Sequence, residues 1–96
     1  MKKKDEQAAV YLDPADLTPW DQNPRHNDHV VGEVARSIQR FGFASPIVAR
    51  KAQDGSLTIV AGHTRHKAAQ KLGLDRVPVR LMDLSEDEAK MLALAD

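Results

Sequence analysis

A run of β-branched and apolar residues, Ser56 to Ala61, ends on Gly62 and passes without a loop into a segment of helical spacing that Gly73 closes. No other stretch constrains the chain as strongly. A strand that leads straight into a helix must share a core with it, so the expectation is a layered α/β domain. Ala68, Ala69 and Leu72, with the stem of Arg65, form the apolar stripe of this helix. Gly73 stands where a left-handed closing residue is wanted. Just upstream, Asp54-Gly55 is a strong turn signal between Pro46–Lys51 and Ser56–Ala61, which predicts a hairpin.

The remaining elements follow the same reading. Val30, Val31, Val34, Ile38 and Phe41 fall on one helical face, with Asn27 or Asp28 as cap and Gly42 just past the end. Asp13-Pro14-Ala15-Asp16-Leu17 suits one helical turn, the acid as N-cap and the proline at the first position, and Thr18–Asp28 reads as a long loop. Ala8–Leu12 has the character of a short strand. Val77–Met82 is a further strand, and Pro78 near its start suggests an edge or an end. Ser85-Glu86-Asp87-Glu88 is a capping box that opens a last helix. The fold expected is a compact α/β (α+β) domain, a small mixed sheet with about four helices. Residues 1–7 read as a polar tail and residues 8–96 as one domain. The last helix reaches Asp96 with no closing signal, which suggests a piece of a longer protein.

Composition narrows the chemistry. The 96 residues include no cysteine, so disulfides, thiolate catalysis and cysteine-held zinc are excluded. No apolar run approaches membrane-spanning length and Met1–Glu6 lacks a signal-peptide core, so the expectation is a cytoplasmic protein with no membrane partner. The formal net charge is zero, which argues against gripping DNA by bulk electrostatics. The charge is uneven, however. Five bases (Arg65, Lys67, Lys71, Arg76, Arg80) stand against Asp75 between Ala61 and Arg80, and an acidic block follows from Asp83. One reading is two solvated helix faces of opposite sign; the other is a local anion site.

The segment Gly62-His63-Thr64-Arg65-His66-Lys67 favours the anion site. A helix start offers backbone N–H groups without internal partners and a partial positive charge. Gly62 permits close approach of a ligand, Thr64 adds a hydroxyl, and Arg65 adds a fork that matches phosphate geometry. Such a start is a phosphate site. A plainer reading stands beside it: Arg65 pairs with a carboxylate and Gly62 serves only the turn. His26/His29 and His63/His66 form two H-x-x-H pairs, but they lie at helix starts without a companion glutamate, so no metal site is assigned. The acids Asp21, Asp28, Asp54 and Asp75 form no cluster of the kind a nuclease needs. Trp20 reads as a core or lid anchor.

Several stretches together resemble the ParB/sulfiredoxin-like superfamily, and in particular the ParB N-terminal domain. Asn23-Pro24-Arg25 is similar to the N/Q-P-R loop before the family's first long helix. Ser37 to Val48 is similar to its "SI-x-x-x-G-x-x-x-PIVV" run. Val60 to Ala69 stands where partition proteins carry "VAGERRWRAA", and Leu72 to Val79 resembles "LGL-x-x-VPV". The resemblance covers about Ala8 to Asp96.

It implies a nucleotide- or phosphate-binding domain of a DNA partition, modification or other DNA-processing protein. The ligand would be a nucleoside triphosphate, CTP or ATP, with or without magnesium. Gly62, His63, Thr64, Arg65 and Lys67 would form the phosphate site, with Asn23, Arg25, Ser45 and His66 as additional contacts. The partners implied are DNA, reached through other parts of the full-length protein, and a ligand-dependent second copy. The position of sulfiredoxin's cysteine is His63 here, which excludes that reaction. Partition proteins carry Glu, Arg and Arg where this chain has His63, Thr64 and Lys67, and glutamine where it has Ser45. In these respects it is closer to ParB-like domains of phage proteins and of methyltransferase fusions. A metal-dependent ParB-like nuclease, a small-molecule kinase or ATPase, and a degenerate interaction domain remain as alternatives.

Overall fold

The computed structural model describes residues 9–21 and 28–95. The chain forms β1 (Val10–Leu12), β2 (Leu17–Thr18), α1 (Val31–Phe41), β3 (Ile47–Lys51), β4 (Leu57–Ala61), α2 (His63–Leu72), β5 (Val77–Leu81) and α3 (Glu86–Ala95). The strands make one mixed sheet in the order β1-β5-β3-β4-β2. β3 and β4 pair antiparallel as a hairpin, β3 and β5 pair parallel, and β1 runs antiparallel to β5. The expected α/β class is the observed one.

The hairpin turn forms for a local reason. The Asp54 carboxylate accepts the Ser56 backbone N–H at 2.9 Å and the Ser56 hydroxyl at 2.6 Å. Ala52 and Ser56 then close the end, Ala52 N–H donating to the Ser56 carbonyl at 2.7 Å. At the other end of the hairpin β3 and β4 present Ile47 and Ala61, and Gly62 follows directly. Their side chains alternate between two faces. On one face Ile47, Ala49, Ile59, Val77 and Val79 meet Leu17 and Ala69 under α2, against which α1 packs. On the other, Val60 meets Ala89 and Ala93 of α3, with Trp20, Val48, Leu84 and Leu92 packed around them. Ile47, Ile59, Val60, Val77 and Val79 are fully buried, and each side chain contributes on the order of 1.5–3 kcal/mol.

Capping fixes the helices. Ser85 and Glu88 make both halves of the predicted capping box: Glu88 N–H donates to Ser85 Oγ at 3.1 Å, and Ser85 N–H to Glu88 Oε1 at 2.9 Å. Asp13 caps Pro14–Asp16 by accepting the Ala15 N–H at 2.9 Å. That turn is a single 3-10 turn, as is Asp28–Val30 before α1. About four helices were expected; the described residues hold three α-helices and these two turns.

Four details refine or correct the sequence reading. The N-cap of α1 is Val30, with no side-chain cap, because the 3-10 turn from Asp28 occupies the place of the expected capping residue. Phe41 is 76% exposed, its ring under the Arg40 guanidinium at 5.2 Å, and it is absent from the core. The chain reverses at Gly42 and delivers Phe43 to the core instead. Of the two readings of Pro78, the structure shows the strand end and not the edge: Pro78 is the second residue of β5, which lies between β1 and β3. Its missing N–H is tolerated because pairing with β3 begins one residue later, at Ile47↔Val79. Leu17–Thr18, expected outside the sheet, adds a two-residue strand parallel to β4.

Candidate functional site at the start of helix α2

The candidate site is built where β4 becomes α2. Gly62 has φ 97° and ψ 24°, the left-handed conformation that L side chains rarely adopt. A Cβ at this position would lie 3.2 Å from the Ile47 Cα and 3.3 Å from its Cγ1. The room spared by the glycine is therefore filled by β3, not held open for a ligand. The left-handed turn aims the first turn of α2 out past the end of the sheet. The helical ladder starts with His66 N–H donating to the Gly62 carbonyl at 2.9 Å, so the N–H groups of His63, Thr64 and Arg65 lie before it.

The electrostatics of this end are unusual for a helix. No side chain caps it, and its first turn holds no acid. Arg65 and Lys67 stand there instead, at the positive end of the helix dipole, where bases are disfavoured. Arg65 is half-buried and finds no acceptor among the described residues. The alternative reading, Arg65 in a structural ion pair, is therefore not what the described residues show. Thr64 is half-buried and Lys67 exposed. Ser45, exposed, lies two residues before Ile47 and so enters β3 at the same end of the sheet as Gly62. Asn23 and Arg25 lie outside the described residues, as does the tail at residues 1–7.

The two histidines of α2 behave differently from the other members of the motif. His63 is half-buried and its Nε2 accepts the Trp20 backbone N–H at 3.2 Å. Its ring is thus engaged by the protein, while its backbone N–H lies before the helical ladder. His66 was expected as an additional ligand contact. It is 2% exposed, and its Nε2–H donates to the Pro14 carbonyl at 2.8 Å. Its place one turn into α2 points it into the core rather than to the helix mouth, so it serves packing. Both rings reach the Pro14–Trp20 segment, and together they fasten that segment to α2. Among the described residues, no three His, Asp or Glu side chains come together as a metal site.

Sequence reasoning treated Trp20 as an anchor and missed its link to the site. The indole packs with Val60, Ala89 and Ala93 on the α3 side of the sheet, while the backbone N–H is held by α2. A backbone donor carries no residue-type signal, so nothing in the sequence announces this contact.

Comparison with known proteins agrees with this geometry. The profile of the ParB N-terminal domain family matches residues 1–96. A nucleoid occlusion protein of Geobacillus sp. (strain WCH70) is 30% identical over 98 residues, covering 100% of this chain and 35% of that protein. This chain thus spans about a third of the length of that curated relative. Among solved structures, a C-terminally truncated chromosome-partitioning protein ParB from Caulobacter crescentus, complexed with CTP-γ-S, superposes with a TM-score of 0.81 at 26% identity. The match covers 92% of this chain and 51% of that one. Sulfiredoxin from Arabidopsis thaliana superposes with a TM-score of 0.71 at 27% identity, covering 92% and 98% of the two chains. A sheet that feeds a glycine-led helix start, in a fold shared with ParB and sulfiredoxin and matched end to end by one family profile, has one assignment: the chain belongs to the ParB N-terminal domain family, within the ParB/sulfiredoxin-like superfamily.

Proposed function

We propose that the start of α2 binds the phosphates of a nucleoside triphosphate. In this reading the domain is the nucleotide-responsive part of a longer protein that acts in DNA partition or nucleoid occlusion. The observation that carries it is the unbalanced helix start: an uncapped, acid-free first turn with Arg65 half-buried and lacking an acceptor among the described residues. Backbone N–H groups of His63, Thr64 and Arg65 would cradle the phosphates, and the Thr64 hydroxyl and Arg65 fork would clamp them. Lys67 would add charge from the first turn. Ser45, Asn23 and Arg25 are the further contacts proposed. CTP is the first candidate, because the Caulobacter ParB neighbour is complexed with CTP-γ-S. The described helix start carries no carboxylates for magnesium, so the phosphates themselves would bring the ion. DNA would be held largely by other parts of the longer protein, with a second copy engaging when nucleotide is bound. Such a protein would work in the cytoplasm, at the nucleoid.

The test is thermal stability against CTP, ATP, GTP and inorganic phosphate, with and without magnesium. A ligand that binds only the folded state at 100 times its Kd stabilises by about 2.7 kcal/mol. Wild type is expected to rise in Tm with one nucleotide, and Arg65→Ala to keep its fold and lose that rise. A wild type that responds to no nucleotide at millimolar concentration would overturn the reading.

A further inference from the structure

Two histidines of α2 hold the Pro14–Trp20 segment, and they do so by opposite chemistry. The partner of His66 Nε2, at 2.8 Å, is the Pro14 carbonyl, which can only accept, so this ring donates. The partner of His63 Nε2, at 3.2 Å, is the Trp20 backbone N–H, which can only donate, so this ring accepts. An imidazole nitrogen accepts only while it carries no proton, and an imidazolium has two donors and no acceptor. Protonation therefore leaves the His66 bond in place and abolishes the His63 bond. Trp20 N–H and a protonated Nε2 would be two donors facing each other.

The surroundings suit each ring to its part. His66 is 2% exposed, and Pro14 and Leu17 beside it in the segment are buried. Leu17 and Thr18 also pair with β4, so this end of the segment is fixed. His63 is half-buried at the first residue of α2, within reach of water. Its charged neighbours on α2 are Arg65 and Lys67, with Lys71 further along. The elements packed against α2 bring Glu33, Arg36 and Arg40 on α1, Asp13 and Asp16 at the 3-10 turn, and Arg50 and Lys51 on β3. Asp21 follows Trp20. The structure holds the neutral, accepting ring, the form that the positive end of the helix dipole favours.

We propose that His63 is a proton-operated latch. The neutral ring holds Trp20 against the start of α2, and the imidazolium releases it while His66 keeps the Pro14 end fastened. Release is confined to the stretch after Thr18, because Leu17 and Thr18 stay paired with β4. Imidazole is the side chain whose charge changes at physiological pH, so the latch works in the range a cell meets. The latch stands on the two hydrogen bonds. Its bearing on the α2 start rests on the phosphate reading above: an anion there and a proton on His63 favour each other, so ligand and acid act on Trp20 in the same direction.

The experiment is a proton–nitrogen NMR titration of the ligand-free 96-residue chain from about pH 8 to about pH 5. It follows the ring nitrogens of His63 and the backbone N–H of Trp20. The Trp20 amide is expected to shift with the same midpoint as the His63 ring. Its protection against exchange, corrected for the intrinsic effect of pH, is expected to fall about tenfold, the worth of one hydrogen bond. The His66 Nε2–H proton is expected to stay protected throughout. His63→Gln supplies a side-chain acceptor that does not titrate, and is expected to keep the Trp20 amide unchanged across the range. Circular dichroism checks that the variant is folded. The proposal is overturned if the Trp20 amide stays put while the His63 ring titrates, or if the ring stays neutral down to the pH at which the domain unfolds. It is equally overturned if the Trp20 amide of folded His63→Gln moves as in wild type. No ligand enters this titration, so it and the nucleotide test above can each fail alone.

Discussion

His63 Nε2 accepts the backbone N–H of Trp20 at 3.2 Å, across 43 residues of chain. This bond joins the first residue of α2 to a residue whose ring packs beneath α3. Trp20 is the only tryptophan in the chain, so its emission reports on the helix start without any label. Saturation with the nucleotide that raises Tm is expected to change the intensity or wavelength of that emission. His63→Ala is expected to uncouple the two, leaving a smaller optical change at equal saturation. An unmoved emission in ligand-saturated wild type would show that Trp20 and the site are independent.

Gly62→Ala is expected to be among the most damaging single substitutions in the described chain. The left-handed backbone costs an L residue about 1–2 kcal/mol, and forcing a methyl against packed backbone costs about 1–3 kcal/mol more. The Cβ would meet the Ile47 Cα at 3.2 Å, which is backbone and cannot rotate away. In a domain this small, each kcal/mol lowers Tm by roughly 4–8 °C. Differential scanning calorimetry reads the effect directly, and a loss below about 1 kcal/mol would contradict the packing described.

His66→Ala is expected to cost about 2–4 kcal/mol, since it leaves a void and an unpaired Pro14 carbonyl in a buried place. The nucleotide response, scaled to the folded fraction, is expected to survive. Isothermal titration calorimetry with the folded variant checks this. A variant of near-normal stability that binds no nucleotide would return His66 to the ligand site.

Ser85→Ala and Glu88→Ala each remove one half of the α3 capping box. Each is expected to cost about 0.5–2 kcal/mol and to leave affinity at the α2 start unchanged, because α3 begins at the far end of β3. Urea melts measure the first effect and nucleotide titration the second.

The turn at Asp54 carries a pH dependence of known sign. Hydrogen bonds from the Ser56 hydroxyl and then the Ser56 N–H hold its carboxyl below the ordinary value of 3.8. A lowered folded value means that the stabilisation is present above the ordinary value and is lost as pH falls through the folded one. Wild type is therefore expected to lose stability below about pH 3.8 in a way that Asp54→Asn does not. Thermal melts of both proteins from neutral to strongly acid pH make the comparison. The group is solvent-exposed, so the difference will be small.

The elements whose signals are local were legible in the sequence. Asp54-Gly55, the Ser85–Glu88 box, Asp13-Pro14 and the glycines at 62 and 73 each act within a few residues, and each does in the structure what its chemistry demands. What depends on distant partners was not legible. Pro78 reads as a signal of an edge or an end, and only the pairing with β3, which waits until Val79, decides for the end. Phe41 has the right spacing for the core, but the turn at Gly42 gives that place to Phe43. Leu17–Thr18 is too short to show a strand period, and its pairing is decided by β4. In the candidate site, Gly62 to Arg65 stand together as the motif suggests, while the two histidines turn out to be fasteners. Their partners are a backbone N–H and a backbone carbonyl, which no pattern of side chains can reveal.

The close fit of Gly62 on Ile47 has a consequence for how this site can diversify. The glycine answers to the sheet, so an empty domain needs it as much as an occupied one. Thr64 and Lys67 are under no such obligation to β3, whereas His63 also fastens Trp20. Selection, or a designer with a randomised library at positions 64 and 67, can change which anion is preferred while Gly62 keeps its fit on the sheet. A family can in this way keep one hinge and many specificities.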